Sequence, residues 1–142
     1  MDILKKIEKY REDEQRLKWE GTFVEYLDIV KEKPWVAQSA HSRVYNMIKD
    51  AGIEEVDGKR RYKFFDHQLY GLEDALERLV EEYFHPAAKR FDVRKRILLL
   101  MGPVSGGKST LVTMLKRGLE AYSLTDRGAL YAIKGCPMHE DP

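Results

Sequence analysis

Lys108 and Ser109 close the stretch Gly102-Pro103-Val104-Ser105-Gly106-Gly107-Lys108-Ser109, which fits G-x-x-x-x-G-K-[ST] at every fixed position. The chemistry of that spacing is the holding of a triphosphate. The glycines let successive backbone N–H groups turn inward without a Cβ in the way. An ammonium at Lys108 reaches the β- and γ-phosphates, and the Ser109 hydroxyl takes one place on Mg²⁺, with Thr110 beside it. With glycine at about 7% of residues, chance yields about one such match per 200 chains of this length, so flanking context must support the motif.

Two elements must position the loop. Upstream, Ile97-Leu98-Leu99-Leu100-Met101 is a continuous apolar run of strand length, as in strands buried on both faces. Downstream, Leu111, Met114, Leu115, Leu119 and Tyr122 fall on one face of a helix, with Gly118 a mild blemish in it. That helix aims the positive end of its dipole at the loop. Residues 129–134 read as a second strand. In ring-forming ATPases the segment before the helix that leads to the loop strand lies beside the adenine. Here that segment is Phe65 to Gly71, with Tyr70 and Gly71 as the residues to meet the base.

The chain has 142 residues, 43% of them hydrophobic and 35% charged, enough for one domain with its own core. Its net charge of +1 sets up no global field for nucleic acid or anionic membrane. A single cysteine, Cys136, excludes an internal disulfide. The start carries no long apolar core and no stretch approaches the ~20 residues of a membrane span, so a soluble cytoplasmic protein is expected.

Further along the chain, residues 2–19 read as a charged helix, with Ile3, Leu4, Ile7 and Tyr10 on one face and Glu12/Arg16 and Glu14/Lys18 paired at i,i+4. Thr22 and Glu25 form a capping box for a helix through Val30, whose apolar face is Phe23, Leu27 and Val30. A helix over 42–51 buries Val44, Met47 and Ile48 and ends at Gly52. Asp57-Gly58-Lys59 marks a hairpin. Leu72, Leu76, Leu79, Val80, Tyr83 and Phe84 give the cleanest helical stripe, interrupted by His85-Pro86.

Other candidate chemistry is thinner. Cys136-x-x-His139 offers two metal ligands where zinc needs three or four. Arg94-Lys95-Arg96 reads as a solvated strand entry rather than a phosphate contact. The segment Lys59 to Phe65 combines cations and aromatics, yet a hairpin packing its aromatics on a helix accounts for it better than stacking on single-stranded nucleic acid.

Several stretches resemble one family, the PrkA-type bacterial serine protein kinases, built on an N-terminal AAA ATPase module. They are Lys18 to Phe23, Val36 to Arg43, Met47 to Gly52, Leu69 to Glu73, Leu99 to Ser109 and Tyr131 to Pro142, so the likeness runs over nearly the whole chain. It implies an ATP-binding module, with ATP and Mg²⁺ as cofactors, in a protein that phosphorylates serine or threonine in partner proteins, and assembly with further copies of itself.

The expected fold is therefore α/β: a P-loop NTPase (AAA-type) parallel sheet with helices, with strands at 96–101 and 129–134 and a right-handed crossover through the 109–122 helix. A mainly helical region over 1–64 precedes the first part of the ATPase core at 65–142. A P-loop ATPase also needs an acidic residue on another strand to complete the Mg²⁺ site. None follows the loop here, so the chain is expected to be an N-terminal piece of a longer protein. Lys108 is the expected catalytic group, and Gly102 to Thr110 with Tyr70 and Gly71 the expected nucleotide contacts. A nucleotide-gated assembly module without turnover is the second reading. A small-molecule P-loop kinase ranks last, for want of a lid and substrate-binding arginines.

Overall fold

The computed structural model describes residues 3, 4, 7, 8, 11, 12, 15, 18–89 and 97–142. Tyr10, Glu14, Arg16 and the basic residues Arg94, Lys95 and Arg96 lie outside the described residues. The chain groups into two compact units, one made of 38–120 and one of 1–37 with 121–142. The boundary expected between 64 and 65 falls inside the former.

In the unit over 38–120, helix α2 (Ala40–Asp50) starts where the Ser39 hydroxyl accepts the Ser42 N–H. Such a cap satisfies one of the amides that the first helical turn leaves over. Ser42 Oγ then donates to Ala88 O at 2.8 Å, tying this helix end to a helix 46 residues later. The buried side chains of α2 are Arg43, Met47 and Ile48, while Val44 is only half-buried. Strands β1 (Ile53–Val56) and β2 (Lys59–Tyr62) pair antiparallel, Ile53 with Tyr62 and Val56 with Lys59. The turn is the two residues Asp57 and Gly58, at φ +53° and +77°. That is the mirror-image turn whose twist suits a hairpin, and it is why a glycine stands there.

Helix α3 (Glu73–Arg78) passes directly into a π-helical segment, Leu79–Phe84, and then into α4 (His85–Ala88). His85-Pro86 does not interrupt the helix as expected. Pro86 has no N–H to give and its ring crowds the carbonyl one turn back. The ladder widens ahead of it, His85 N–H reaching Val80 O, and the helical course continues. Leu76, Val80, Phe84 and Ala87 point inward along this course and pack with Met47, Ile48, Tyr62 and Phe65 as the core. α5 (Lys108–Ser123) is the helix expected after the phosphate loop, with Leu111 buried and Met114, Leu115 and Leu119 half-buried. Gly118 has a packing reason: a Cβ there would come within 2.7 Å of the Phe64 ring and 3.0 Å of Met47 Sδ.

In the other unit, α1 (Phe23–Glu32) begins with the expected capping box, Thr22 N–H donating to Glu25 Oε2 at 2.6 Å and Glu25 N–H to Thr22 Oγ1 at 3.4 Å. Its buried residue is Tyr26, with Ile29 and Val30 half-buried. Phe23 and Leu27, expected on the inner face, are exposed. Tyr26 is chosen because its ring meets Tyr131 at 5.5 Å, and Trp19 meets the same tyrosine edge-on at 5.4 Å. Lys134 Nζ bonds Glu20 Oε2 at 2.8 Å beside this cluster.

Among the described residues the β-structure is this one two-stranded antiparallel sheet. The parallel sheet expected from 96–101 and 129–134 is not formed there. Residues 97–101 and 129–133 lack ladder partners, and Ile97, Leu99 and Met101 are largely exposed. An extended segment becomes a strand only when another strand takes up its amides and carbonyls.

Candidate functional site

The residues 102–108 fold into a tight loop because three of them take up left-handed or near-extended positive φ: Gly102 at +155°, Ser105 at +66° and Gly107 at +76°. Gly106 N–H donates back to Pro103 O at 3.2 Å, and Leu111 N–H donates to Gly107 O at 2.8 Å as α5 begins. Lys108 therefore stands at the first position of a sixteen-residue helix. Its ammonium turns back over the loop, donating to Gly102 O at 2.8 Å and to Pro103 O. A Cβ at Gly106 would stand 3.0 Å from Pro103 O and 3.7 Å from Lys108 Nζ, so a larger residue would fill the cradle in front of the ammonium.

The loop forms one side of a cavity of about 910 Å³, lined by Gly102, Val104 to Thr110, and on the other side by Gln68, Leu69, Tyr70 and Leu72. The two sides are joined by packing. A Cβ at Gly107 would fall 3.0 Å from Leu69 Cδ2 and 3.2 Å from Leu72 Cδ1, so the hydrogen of this glycine lets the leucines close on the loop. One ammonium, the hydroxyls of Ser109 and Thr110, and a helix N-terminus make a donor set that fits a magnesium-bound polyphosphate.

Of the residues expected here from the sequence, Gly102, Val104, Ser105, Gly106, Gly107, Lys108, Ser109, Thr110 and Tyr70 line this cavity together. Pro103 contributes its carbonyl to Lys108 and does not line the cavity. Gly71 does not line it either; its N–H donates to Glu73 Oε1 at 3.1 Å, and its φ of +70° turns the chain into α3. Gln68 and Leu69 also line the cavity; they belong to the 65–71 segment expected beside the base, whereas Leu72, which lines it too, was read from the sequence only as part of a helical stripe. The apolar spacing of Leu69 and Leu72 about a glycine turn was the signal, but it reads equally well as core.

The cations of the hairpin region are used locally. Lys59 meets Asp74 at 2.5 Å, Arg60 meets Glu81 at 2.6 Å, Arg61 meets Asp66 at 2.8 Å and Lys63 meets Glu54 at 2.7 Å. Glu81 also accepts the Tyr62 hydroxyl and lies 3.5 Å from His85 Nδ1. Partial burial pushes the Glu81 carboxyl up, but the hydrogen bonds of Tyr62 and Arg60 outweigh that and hold it below the usual carboxylate range. Burial and the bond to Glu81 raise the Tyr62 phenol well above its ordinary value. Among the described residues no group of three or more His, Cys, Asp or Glu side chains could hold a metal ion. Backbone amides, that of Glu140 foremost, lower the Cys136 thiol pKa. Among the described residues no helix is long and apolar enough to cross a membrane.

These features meet a definite class: the chain is an AAA-type domain, in the P-loop NTPase group of folds. A family model described as the PrkA AAA domain matches residues 21–142, and the chain belongs to that family. It is 83% identical over all of its 142 residues to the ATP-dependent protease PrkA of Bacillus subtilis, of which it spans 22%. It is 48% identical over 81 residues, 55% of the chain and 12% of the relative, to the serine/threonine kinase YeaG of Escherichia coli. A Lon protease of Treponema pallidum is 33% identical over 94 residues, 66% of the chain and 9% of that protein. No solved structure matches the chain.

Proposed function

We propose that the loop at 102–109 binds MgATP and that the full-length protein uses it for γ-phosphate chemistry, as an ATPase or as a serine/threonine protein kinase. The observation that carries this reading is the ammonium of Lys108, held over a glycine-lined loop by two carbonyls and facing a cavity of about 910 Å³. Carbonyl oxygens are neutral partners, so the positive charge stays available to an anion. In the bound complex Lys108 neutralises charge on the β- and γ-phosphates, backbone amides of 104–109 hold the β-phosphate, and Ser109 takes one place on Mg²⁺. Bound Mg²⁺ would draw charge off the phosphates; this chain's residues bind and orient them. Tyr70 offers a ring to the base.

The names of the relatives divide between an ATP-dependent protease and a serine/threonine kinase. A phosphate loop serves both, since each begins by holding the triphosphate. The acceptor of the phosphate, water or a protein hydroxyl, is set by residues outside this chain's loop. In the full-length protein we read 97–101 and 129–134 as strands of the parallel core sheet. The exposure of Ile97, Leu99 and Met101 supports this, because a run of such side chains calls for cover. The protein substrate and self-assembly belong to the same proposal. AAA modules form their sites between neighbouring subunits.

The test is Lys108→Ala in the full-length protein, titrated with MgATP. Loss of measurable binding is expected; an unchanged Kd would overturn the assignment.

A further inference from the structure

Phosphate contacts cannot tell one nucleoside triphosphate from another, because all carry the same phosphates. Selection of the base must come from the other side of the cavity, where Gln68, Leu69, Tyr70 and Leu72 stand. Leu69 and Leu72 present only carbon and are occupied in packing on Gly107. Tyr70, 72% exposed, presents a ring face, and ring faces stack on every base. The Gly71 N–H is already given to Glu73.

Gln68 is different. Its carboxamide has no hydrogen-bond partner among the described residues. Its backbone, in contrast, is fixed: Gln68 N–H and Leu69 N–H both donate to Phe65 O, at 3.4 and 3.3 Å. Phe65 and Leu69 on either side are buried. An unspent amide donor and acceptor are thus displayed at a nucleotide-sized cavity from a held point of the chain.

We propose that Gln68 selects adenine, its carboxamide oxygen accepting from the N6 amino group and its NH₂ donating to N7. This inference rests on the reading of 102–109 as a triphosphate site. The pairing discriminates because adenine shows a donor and an acceptor on that edge, whereas guanine shows two acceptors, O6 and N7. Rotating the amide by half a turn does not help guanine, since one carboxamide still offers one donor end and one acceptor end. Gln68 is exposed, so the preference sits at the low end of what a bidentate pair supplies, about tenfold.

The experiment titrates the full-length protein and its Gln68→Ala variant with ATP, GTP, 7-deaza-ATP and inorganic tripolyphosphate, by calorimetry. The unmodified protein is expected to prefer ATP to GTP by about tenfold and to bind 7-deaza-ATP severalfold more weakly than ATP. Gln68→Ala is expected to bring ATP down to the level of GTP and 7-deaza-ATP while leaving tripolyphosphate unchanged. An ATP-to-GTP ratio that survives Gln68→Ala overturns the role of Gln68, as does an unmodified protein with no preference. If the unmodified protein binds none of the four, the triphosphate site itself fails, and this inference with it.

Discussion

The hairpin region and the loop at 102–108 both carry lysine or arginine on short, glycine-turned backbone, yet they spend the charge in opposite ways. Along 59–63 each cation sits against a carboxylate: Asp74, Glu81, Asp66 or Glu54. At 102–108 the cation sits against two carbonyl oxygens. A carboxylate cancels the charge, while a carbonyl only orients it. Positive residues in a sequence therefore say little about anion binding until their partners are known. The loop leaves its charge uncancelled; the hairpin turns its charge into local structure.

The largest effect that sharpens this contrast is the removal of Lys108. Charged hydrogen bonds contribute about 1.5–3 kcal/mol each, so Lys108→Ala, losing the two that Lys108 would make to the β- and γ-phosphates, should weaken MgATP binding by at least on the order of 100-fold. Arg61→Ala, measured in the same titration, should leave the affinity where it was. Equal losses in the two variants would erase the distinction drawn between them.

Next comes the point where hairpin and helix are joined. Glu81 takes the Tyr62 hydroxyl and the Arg60 guanidinium at once, and Tyr62 is buried. Glu81→Ala leaves both donors without their acceptor, and should cost about 2 kcal/mol in chemical denaturation. The pH dependence has a definite sign. The folded carboxyl is held below its ordinary range, so its contribution is complete at neutral pH and is lost as pH falls below about 4.3. Glu81→Gln should flatten that part of the stability profile between pH 7 and pH 3. A variant as acid-sensitive as the unmodified protein would show that other carboxylates carry the effect.

The third prediction reverses a propensity. Gly118 lies inside α5, where alanine would ordinarily be favoured by ~1 kcal/mol. The Phe64 ring and Met47 Sδ occupy the place of its Cβ. Gly118→Ala should therefore destabilise the fold, by about 1 kcal/mol after the helical gain is set against the clash. A rise in melting temperature would mean that the ring moves aside freely.

These cases separate what could be read in the chain from what could not. The capping box at Thr22 and Glu25, the Asp57-Gly58 turn and the stripe of α5 are encoded within a few residues, and they appear where the pattern puts them. The turn at 102–108 was legible for the same reason: Gly102 and Gly107 permit the positive φ that the backbone adopts there. The inner face of α1 was not legible, because Tyr26 is selected by Tyr131, more than a hundred residues away. The bond of Tyr62 to Glu81, the clasp of Leu69 and Leu72 on Gly107, and the need for glycine at 118 likewise arise from pairs distant in sequence. Pro86 misled in a different way. Its usual effect is to stop a helix, but a π-turn accommodates it at the cost of a weaker ladder.

The smallest effects should come from the hairpin cations themselves, and that smallness is informative. Lys59, Arg61 and Lys63 are substantially exposed, and their partners lie within water's reach. Exposed pairs gain little because solvent screens them and two long side chains must be ordered to make each one. Substituting Lys59 or Lys63 by glutamine should leave the denaturation midpoint without measurable change. The same variants test the nucleic-acid reading of this aromatic, basic stretch. A phosphate backbone would have to displace four carboxylates to reach these cations, releasing few counterions for the exchange. Single-stranded oligonucleotide at physiological salt should therefore show no binding by fluorescence anisotropy, in the unmodified protein and in Lys59→Gln alike. Saturable binding that falls steeply with salt and weakens in Lys59→Gln would place a second anion site on the hairpin. The contrast with the loop would then be one of degree.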